Sequence, residues 1–215
     1  MYLKHIPTAV QRVYPHYLWR MPTNERQLYL TFDDGPHPEV TPWVLAQLRA
    51  HQARATFFLL GEQVRQYPGL AHAIIDEGHT IGNHSQSHLH AYQTGHKRFL
   101  RDVLEGRQTI AEYTGIKTRL FRPPYGRLTP FQAHRLRKRF RIVMMDVIPG
   151  DFDPERSGEA CFRSVKKYAV PGSIILLHDS PKAWDRLFPS LPRILSHFGE
   201  AGFAFHAIPR HRSGF

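Results

Sequence analysis

Most of the interpretation of this sequence depends on the stretch Tyr29-Leu-Thr-Phe-Asp-Asp-Gly-Pro36. Its apolar residues up to Phe32 predict a buried strand, and the Gly-Pro pair predicts a turn directly after two carboxylates. A strand that ends on Asp33-Asp34 brings two acids to one edge of a sheet, where α/β enzymes place their chemistry. Turn propensity alone would account for one Asp, but not for the buried strand that leads into the pair.

Strand-like and helix-like patterns alternate from this stretch to the end of the chain. Strands are predicted at 27–32, 55–60, 80–83, 120–121, 142–147, 173–177 and 203–208. Helices are predicted at 43–50 (with Thr41 as N-cap and Pro42 as first helical residue), 68–77, 96–113 (with Gly115 as the C-terminal cap), 130–140, 159–169 and 187–198. This alternation predicts a mostly parallel sheet covered by helices. We therefore expect a single α/β domain over residues 27–208, with residues 1–26 as a lead-in packed on it and residues 209–215 as a tail.

Composition narrows the class of protein. An apolar content of 41% over 215 residues predicts a globular core, and the single cysteine, Cys161, excludes an intramolecular disulfide. No apolar run reaches the roughly 18 residues of a membrane helix. The first 20 residues lack the apolar core of a signal peptide. The expected location is therefore the cytoplasm, and export by a non-standard route stays open.

The net charge of +11 and the isoelectric point near 10.1 come with a concentration of basic residues between Lys117 and Arg141. The simplest interpretation is a solvated helix face. The alternative is attraction to an anionic polymer such as cell-wall glycan, nucleic acid or lipid headgroups.

Five polar clusters each follow an apolar, strand-like run. They are Asp33-Asp34, His84 with His88, Arg122 to Tyr125, Asp146 with Asp151, and His178-Asp179. Because the carboxyl ends of parallel strands lie on one edge of a sheet or barrel, we expect these clusters to form a common site.

Two of these clusters predict a metal centre. His84 and His88, at positions i and i+4, can face one point, and one acid of the Asp33-Asp34 pair completes three ligands, leaving a position for water. The other acid is then left as a base. Zn²⁺ is expected because of its availability, and Co²⁺, Ni²⁺ or Fe²⁺ would suit the same donors. His178 is either a core histidine bonded to a backbone carbonyl or a general acid that Asp151 orients.

In this order the clusters resemble those of the polysaccharide deacetylases of carbohydrate esterase family 4, which share the NodB homology domain. The resemblance extends roughly from Gln27 to Ile208 and implies a distorted (β/α) barrel of seven or eight strands. It implies that Asp33 is the base, that Asp34 binds the metal with His84 and His88, and that Arg122 holds the base.

The resemblance also assigns the remaining roles. The backbone N–H of Tyr125, in the motif that contains Pro124, contributes to the oxyanion hole, and Leu176 lines the pocket for the acetyl methyl group. His178 is the acid, with Asp151 raising its pKa. The fourth motif departs from the family pattern D-x-x-D-W, because Ile148 and Phe152 replace its first acid and its tryptophan. Independently of the resemblance, Trp184 is our candidate for stacking on a sugar ring.

The resulting hypothesis is metal-dependent hydrolysis of N-acetyl groups on N-acetylglucosamine-containing glycans of the peptidoglycan or chitin type. One alternative keeps the site but acts on a small cytosolic amide or an ester, which the missing export signal favours. Another is a non-catalytic binder of an anionic polymer that uses residues 117–141. A glycan partner is expected and nucleic acid is not, and no feature of the sequence indicates an oligomeric state.

Overall fold

Seven parallel strands form the sheet in residues 2–210, which are the residues that this computed structural model describes. The strands are β1 Gln27–Asp33, β2 Thr56–Leu59, β3 Thr80–Asn83, β4 Leu120–Phe121, β5 Arg141–Ile142, β6 Ile174–His178 and β7 Ala204–Phe205. The helices are α1 Thr8–Val13, α2 Val40–Ala50, α3 Gly61–Gln66, α4 Pro68–Asp76, α5 His96–Thr114, α6 Pro130–Leu136, α7 Gly158–Tyr168 and α8 Trp184–Glu200. The predicted α/β class is confirmed.

The strands follow the order β5-β4-β3-β2-β1-β6, and β7 pairs with the first two residues of β1. β1 is central because its side chains are buried on both faces, as parallel strands require. On one face Leu28, Leu30 and Phe32 join the cluster that α2 and α8 cover. On the other face Tyr29 joins a second cluster, with Phe58 among its members, inside the curved sheet.

The sheet closes toward a barrel through irregular backbone. The apolar run 142–147 was expected to be one strand, but only Arg141–Ile142 pairs as β5. Leu18 inserts beside this run and bridges Val143, and Val147 then bridges Ile175 of β6. The N-terminal residues therefore complete the closure that a continuous fifth strand would have provided.

Helix ends follow local chemistry in most places. Gly115 adopts a φ of 71° as the C-cap of α5, as predicted. The prediction of Thr41 as an N-cap was wrong, since α2 begins at Val40 and the Thr41 hydroxyl donates to Asp179 Oδ2 at 2.6 Å. α6 ends at Leu136 rather than near residue 140, and α3 was not predicted.

Because all seven strands run the same way, the sheet has two distinct edges. We call the edge beyond Asp33, Asn83, Phe121 and His178 the carboxyl edge, and the opposite one the amino edge. Within residues 2–210 no helix has the length and apolar character needed to span a membrane. Residues 211–215 of the predicted tail lie outside the described residues.

Candidate active site

Three predicted ligand residues meet at the carboxyl edge. Asp34 Oδ1 lies 3.5 Å from His84 Nε2 and 3.3 Å from His88 Nε2. One ligand atom from each of the three residues lies within 4.8 Å of the others. Asp34 comes from the end of β1, and the two histidines come from the loop after β3, so the strand order brings them together.

The electrostatics of these three residues fit a divalent cation. Asp34 Oδ1 is buried and makes no hydrogen bond. His84 Nδ1 donates to the Arg122 carbonyl at 2.8 Å, which leaves the lone pair of Nε2 facing Asp34. Burial lowers the pKa of His84 to about 4, so its ring is neutral at pH 7. Burial would raise the pKa of Asp34, but the neighbouring histidines and Lys182 hold it well below its usual value.

The backbone around these residues is strained. Asp34, Ser85, His88 and Tyr125 have φ values of 78°, 75°, 59° and 59°, the left-handed region that non-glycine residues rarely adopt. Such conformations concentrate at functional sites, where the surrounding structure must enforce them. The only other described non-glycine residue with positive φ is Gln52, in the turn after α2.

α5 enforces the conformation of the histidine loop. Asp102 Oδ1 accepts a hydrogen bond of 2.6 Å from Ser87 Oγ, and its Oδ2 accepts one of 3.2 Å from the Gln86 N–H. One turn later, a Cβ on Gly106 would stand 2.4 Å from the Ser85 carbonyl carbon. A glycine is therefore required there for α5 to pack this closely against the loop.

Asp33 is held by a buried arginine. Arg122 Nη1 donates to Asp33 Oδ1 at 2.8 Å and to Thr31 Oγ1 at 2.6 Å, and its Nη2 donates to the Met144 carbonyl at 2.9 Å. The guanidinium also lies 4.3 Å from the centre of the Phe58 ring. Asp33 Oδ2 stays outside this pair and lies 3.8 Å from Nε2 of the neutral His84 ring.

His178 ends β6, in register with Asp33 on β1. Its Nδ1 lies 2.9 Å from Asp151 Oδ1, and its backbone N–H donates to Asp151 Oδ2 at 2.7 Å. Burial would lower the pKa of His178, but the charge and hydrogen bond of Asp151, helped by Asp34 and Asp33, raise it to about 9. The ring is therefore an imidazolium at neutral pH, with Asp151 fixing its orientation.

Comparison with known proteins places this arrangement in a family. The family model described as polysaccharide deacetylase matches residues 20–138. A peptidoglycan-N-acetylglucosamine deacetylase of Bacillus cereus is 33% identical over 192 residues, covering 88% of this chain and 90% of that protein. A chitooligosaccharide deacetylase of Azorhizobium caulinodans is 32% identical over 203 residues, covering 88% and 96%.

A crystal structure of a peptidoglycan N-acetylglucosamine deacetylase in complex with a hydroxamate-type benzamide superposes with a TM-score of 0.86. The match has 30% identity and covers 94% of this chain and 96% of the other. This chain is a polysaccharide deacetylase family member. The resemblance to carbohydrate esterase family 4 and the barrel fold it implied are thereby confirmed.

Residues near the N-terminus of this family member pack against its altered fourth motif. The Phe152 ring meets the His178 ring edge-on at 5.4 Å, and the Tyr2 ring packs against Phe152 at 4.9 Å. The Tyr2 hydroxyl donates to Asp153 Oδ2 at 3.1 Å, and the Ile148 N–H donates to the Lys4 carbonyl at 2.9 Å. No local pattern predicts these contacts, because they join segments that are 151 residues apart at Tyr2 and Asp153.

The residues expected to contact the substrate differ in their burial and in their neighbours. Pro124 is buried at the start of a 3₁₀ turn, and the exposed ring of Tyr125 lies 4.7 Å from the ring of His88. Leu176 lies on β6 two residues before His178. Trp184 packs against Trp43 and Phe188, at centroid distances of 5.2 and 5.1 Å, so its stacking on a sugar stays a prediction.

Two acids of the predicted clusters have structural partners instead. Asp146 accepts a hydrogen bond from Ser173 Oγ at 3.0 Å and pairs with Arg20, at the start of β6 rather than at its carboxyl end. Its expected place at the carboxyl edge was therefore wrong. Asp179 is fully buried beneath the site, and burial raises its pKa to about 8 against the hydrogen bond from Thr41.

One functional candidate was missed by sequence reasoning. Lys182, in the turn after β6, places its ammonium 2.5 Å from Asp34 Oδ2. The ammonium thus forms an ion pair with Oδ2 of Asp34, while Oδ1 of the same carboxylate faces the two histidines. A lysine close behind His178-Asp179 could have been noted, but nothing in its spacing indicates which acid it would meet.

Proposed function

We propose that this chain is a metal-dependent hydrolase that removes N-acetyl groups from N-acetylglucosamine-containing glycans of the peptidoglycan or chitin type. The observation that supports this most is the position of Asp33, a carboxylate beside the set Asp34, His84 and His88. His178, the second proton-transfer group, lies on the next strand. The similar proteins named above are deacetylases of peptidoglycan and of chitooligosaccharides.

The proposed ligands are Asp34, His84 and His88, with Zn²⁺ as the expected ion and Co²⁺, Ni²⁺ or Fe²⁺ as alternatives. When bound, such an ion polarises a carbonyl and lowers the pKa of a water molecule from 15.7 to about 7. The chain keeps the ligands in the required state, because His84 is neutral and Asp34 is ionised at pH 7.

Asp33 is proposed as the general base. Arg122 binds Oδ1 and fixes the carboxylate, which leaves Oδ2 free to accept a proton from water as its oxygen adds to the acetyl carbon. The backbone N–H of Tyr125 is proposed to stabilise the resulting oxyanion, an interaction typically worth about 2.7–4 kcal/mol.

His178 is proposed as the general acid. Its Nδ1 is engaged by Asp151, so Nε2 is the nitrogen that donates a proton to the sugar nitrogen as the C–N bond breaks. The products are acetate and a free amino sugar. Leu176, on the same strand, is proposed to line the space that the acetyl methyl group occupies.

The test is acetate release from N-acetylglucosamine oligomers by the Zn²⁺-loaded protein. Asp33→Asn is expected to lower the rate by about 10²–10⁴-fold, since it removes the base. It should leave Zn²⁺ binding, measured by metal analysis after dialysis, unchanged. Asp76→Asn, the same change at an exposed acid on α4, is the matched control and should keep full activity. Full activity of Asp33→Asn would overturn the assignment of the base.

A substrate panel separates the alternatives that share this site. Oligomers of N-acetylglucosamine, peptidoglycan fragments, a small acetylated amine and an acetate ester are compared at equal concentration. Preference for the small amine or the ester would contradict the glycan substrate, but the assignment as a hydrolase would stand. Absence of release from every substrate, with Zn²⁺ bound, would contradict the hydrolase itself.

A further inference from the structure

The amino edge of the sheet carries a second concave site. A cavity of about 630 Å³ lies between the N-terminal segment 15–18, the approach to β4, the stretch between α6 and β5, and the end of the described chain. Its basic lining residues are Arg119, Arg137, Lys138, Arg141 and Arg210. We call this cavity the basic pocket. Its volume is within the roughly 300–1,000 Å³ typical of small-molecule sites.

The basic pocket is separate from the candidate active site. Arg119 immediately precedes β4 and Arg141 begins β5, so both lie where these parallel strands start. Asp33 and His178 lie where β1 and β6 end. The two sites therefore occupy opposite edges of one sheet.

Among the residues that the structure describes, none that lines the basic pocket carries a carboxylate. Among residues 2–210, no ion pair joins Arg119, Arg137, Lys138 or Arg210 to an Asp or Glu. The local sequence explains why: the stretch from Lys117 to Arg141 has nine Lys and Arg residues and no acid. Positive charges from three parts of the chain meet in this pocket, so they are more than the solvated face of one helix.

Neighbouring cations increase this crowding. Arg107 of α5 lies over the ring of Phe140, a lining residue, at 5.2 Å. Its Nε is buried without a hydrogen-bond partner. Burial lowers the pKa of Arg107, and the charges of Arg119 and Arg139 lower it further. An anion in the basic pocket would relieve this repulsion.

We propose that the basic pocket binds a ligand that carries two or more phosphate groups. Four of its five cations are arginines, whose planar guanidinium groups match phosphate oxygens with paired hydrogen bonds. The cavity is larger than one phosphate needs. The same chemistry is presented by a free oligophosphate and by neighbouring lipid headgroups on an anionic surface.

The test measures binding to the full chain with two probes. Inorganic triphosphate is titrated by calorimetry, and phosphatidylglycerol vesicles are used in a sedimentation assay beside phosphatidylcholine vesicles. The variant is the double substitution Arg137→Gln with Lys138→Gln. Its matched control is Lys166→Gln with Lys167→Gln, which removes the same charge from an exposed adjacent pair on α7.

We expect saturable binding of at least one probe, weakened by added salt because the contacts are ionic. The double variant at Arg137 and Lys138 should bind the probe at least about tenfold more weakly, while the α7 control should bind it like the wild type. The acetate-release rate of both variants should equal that of the wild type. Binding of triphosphate assigns a free-phosphate ligand, and binding of vesicles alone assigns lipid headgroups. No binding of either probe, or equal weakening in both variants, would overturn the proposal.

Discussion

β4 has an arginine at each end, and the two side chains have opposite surroundings. Arg122, at the carboxyl edge, is fully buried, paired with Asp33 and hydrogen-bonded to backbone carbonyls. Arg119, at the amino edge, is exposed in the basic pocket and forms no ion pair within residues 2–210. The carboxyl edge thus pairs Arg122 within the protein, whereas the amino edge leaves Arg119 available to an external anion.

The largest expected difference between the two ends of β4 concerns folding. Arg122→Leu should lower the free energy of unfolding by about 3–5 kcal/mol, because Asp33 would remain buried without its partner. Arg119→Leu should stay within about 0.5 kcal/mol of the wild type, as exposed substitutions usually do. Urea denaturation of both variants measures the contrast, and similar losses would contradict it.

A smaller effect concerns the support of the histidine loop. Asp102→Ala removes the acceptor of Ser87 Oγ and of the Gln86 N–H, so His84 and His88 should be held less firmly. By analogy with groups that orient metal ligands, we expect about 10–100-fold weaker Zn²⁺ affinity. Competition with a chromogenic chelator measures it. The substitution Asp185→Ala, at an exposed acid on α8, is the control, and unchanged affinity of Asp102→Ala would show that the loop keeps its shape without this support.

The last effect concerns pH and depends on buried titratable groups, of which His178 and Asp179 lie at the carboxyl edge. His178, Asp179 and Asp146 have pKa values raised to about 9, 8 and 7, the last two by burial. Between pH 6.5 and 9 the folded chain therefore binds more protons than the unfolded chain. Stability should therefore fall as the pH rises across this window.

Thermal unfolding of chelator-treated protein at a series of pH values measures this slope. Asp151→Asn should flatten it, because the contribution of His178 is present below pH 6.5 and is lost as pH rises through about 9. Below pH 6.5 the slope should be weak, since the lowered pKa values of His84 and His79, both about 4, act in the opposite direction to Asp179. The double substitution Arg137→Gln with Lys138→Gln should leave the slope unchanged. If the wild type became more stable from pH 6.5 to 9, the predicted direction of the pH dependence would be wrong.

The sequence predicts those features that depend on local pattern. Apolar runs that end in polar residues located β1, β3 and β6, so the convergence of Asp33, His84 and His178 at one edge followed from strand polarity. The prediction of one strand over 142–147 was wrong for a physical reason. Its residues suit a strand, but Leu18 inserts beside it and takes part of its pairing.

Contacts between distant polar atoms could not be predicted. Lys182 with Asp34 and Thr41 with Asp179 depend on how loops from separate strands are packed. Periodicity reports which side of an element is buried, but not which polar group it meets there. Likewise, a run of basic residues read along the chain resembles a helix face, whereas folding gathers part of it into a pocket.

The contacts of Tyr2 with Phe152 and Asp153 have a practical consequence for handling the protein. A segment fused ahead of Tyr2 begins beside the ring that packs on Phe152, whose own ring meets that of His178, so an affinity tag placed there is expected to change turnover. Kinetic comparisons between preparations are therefore meaningful only when their leading residues are identical or have been cleaved to the same point.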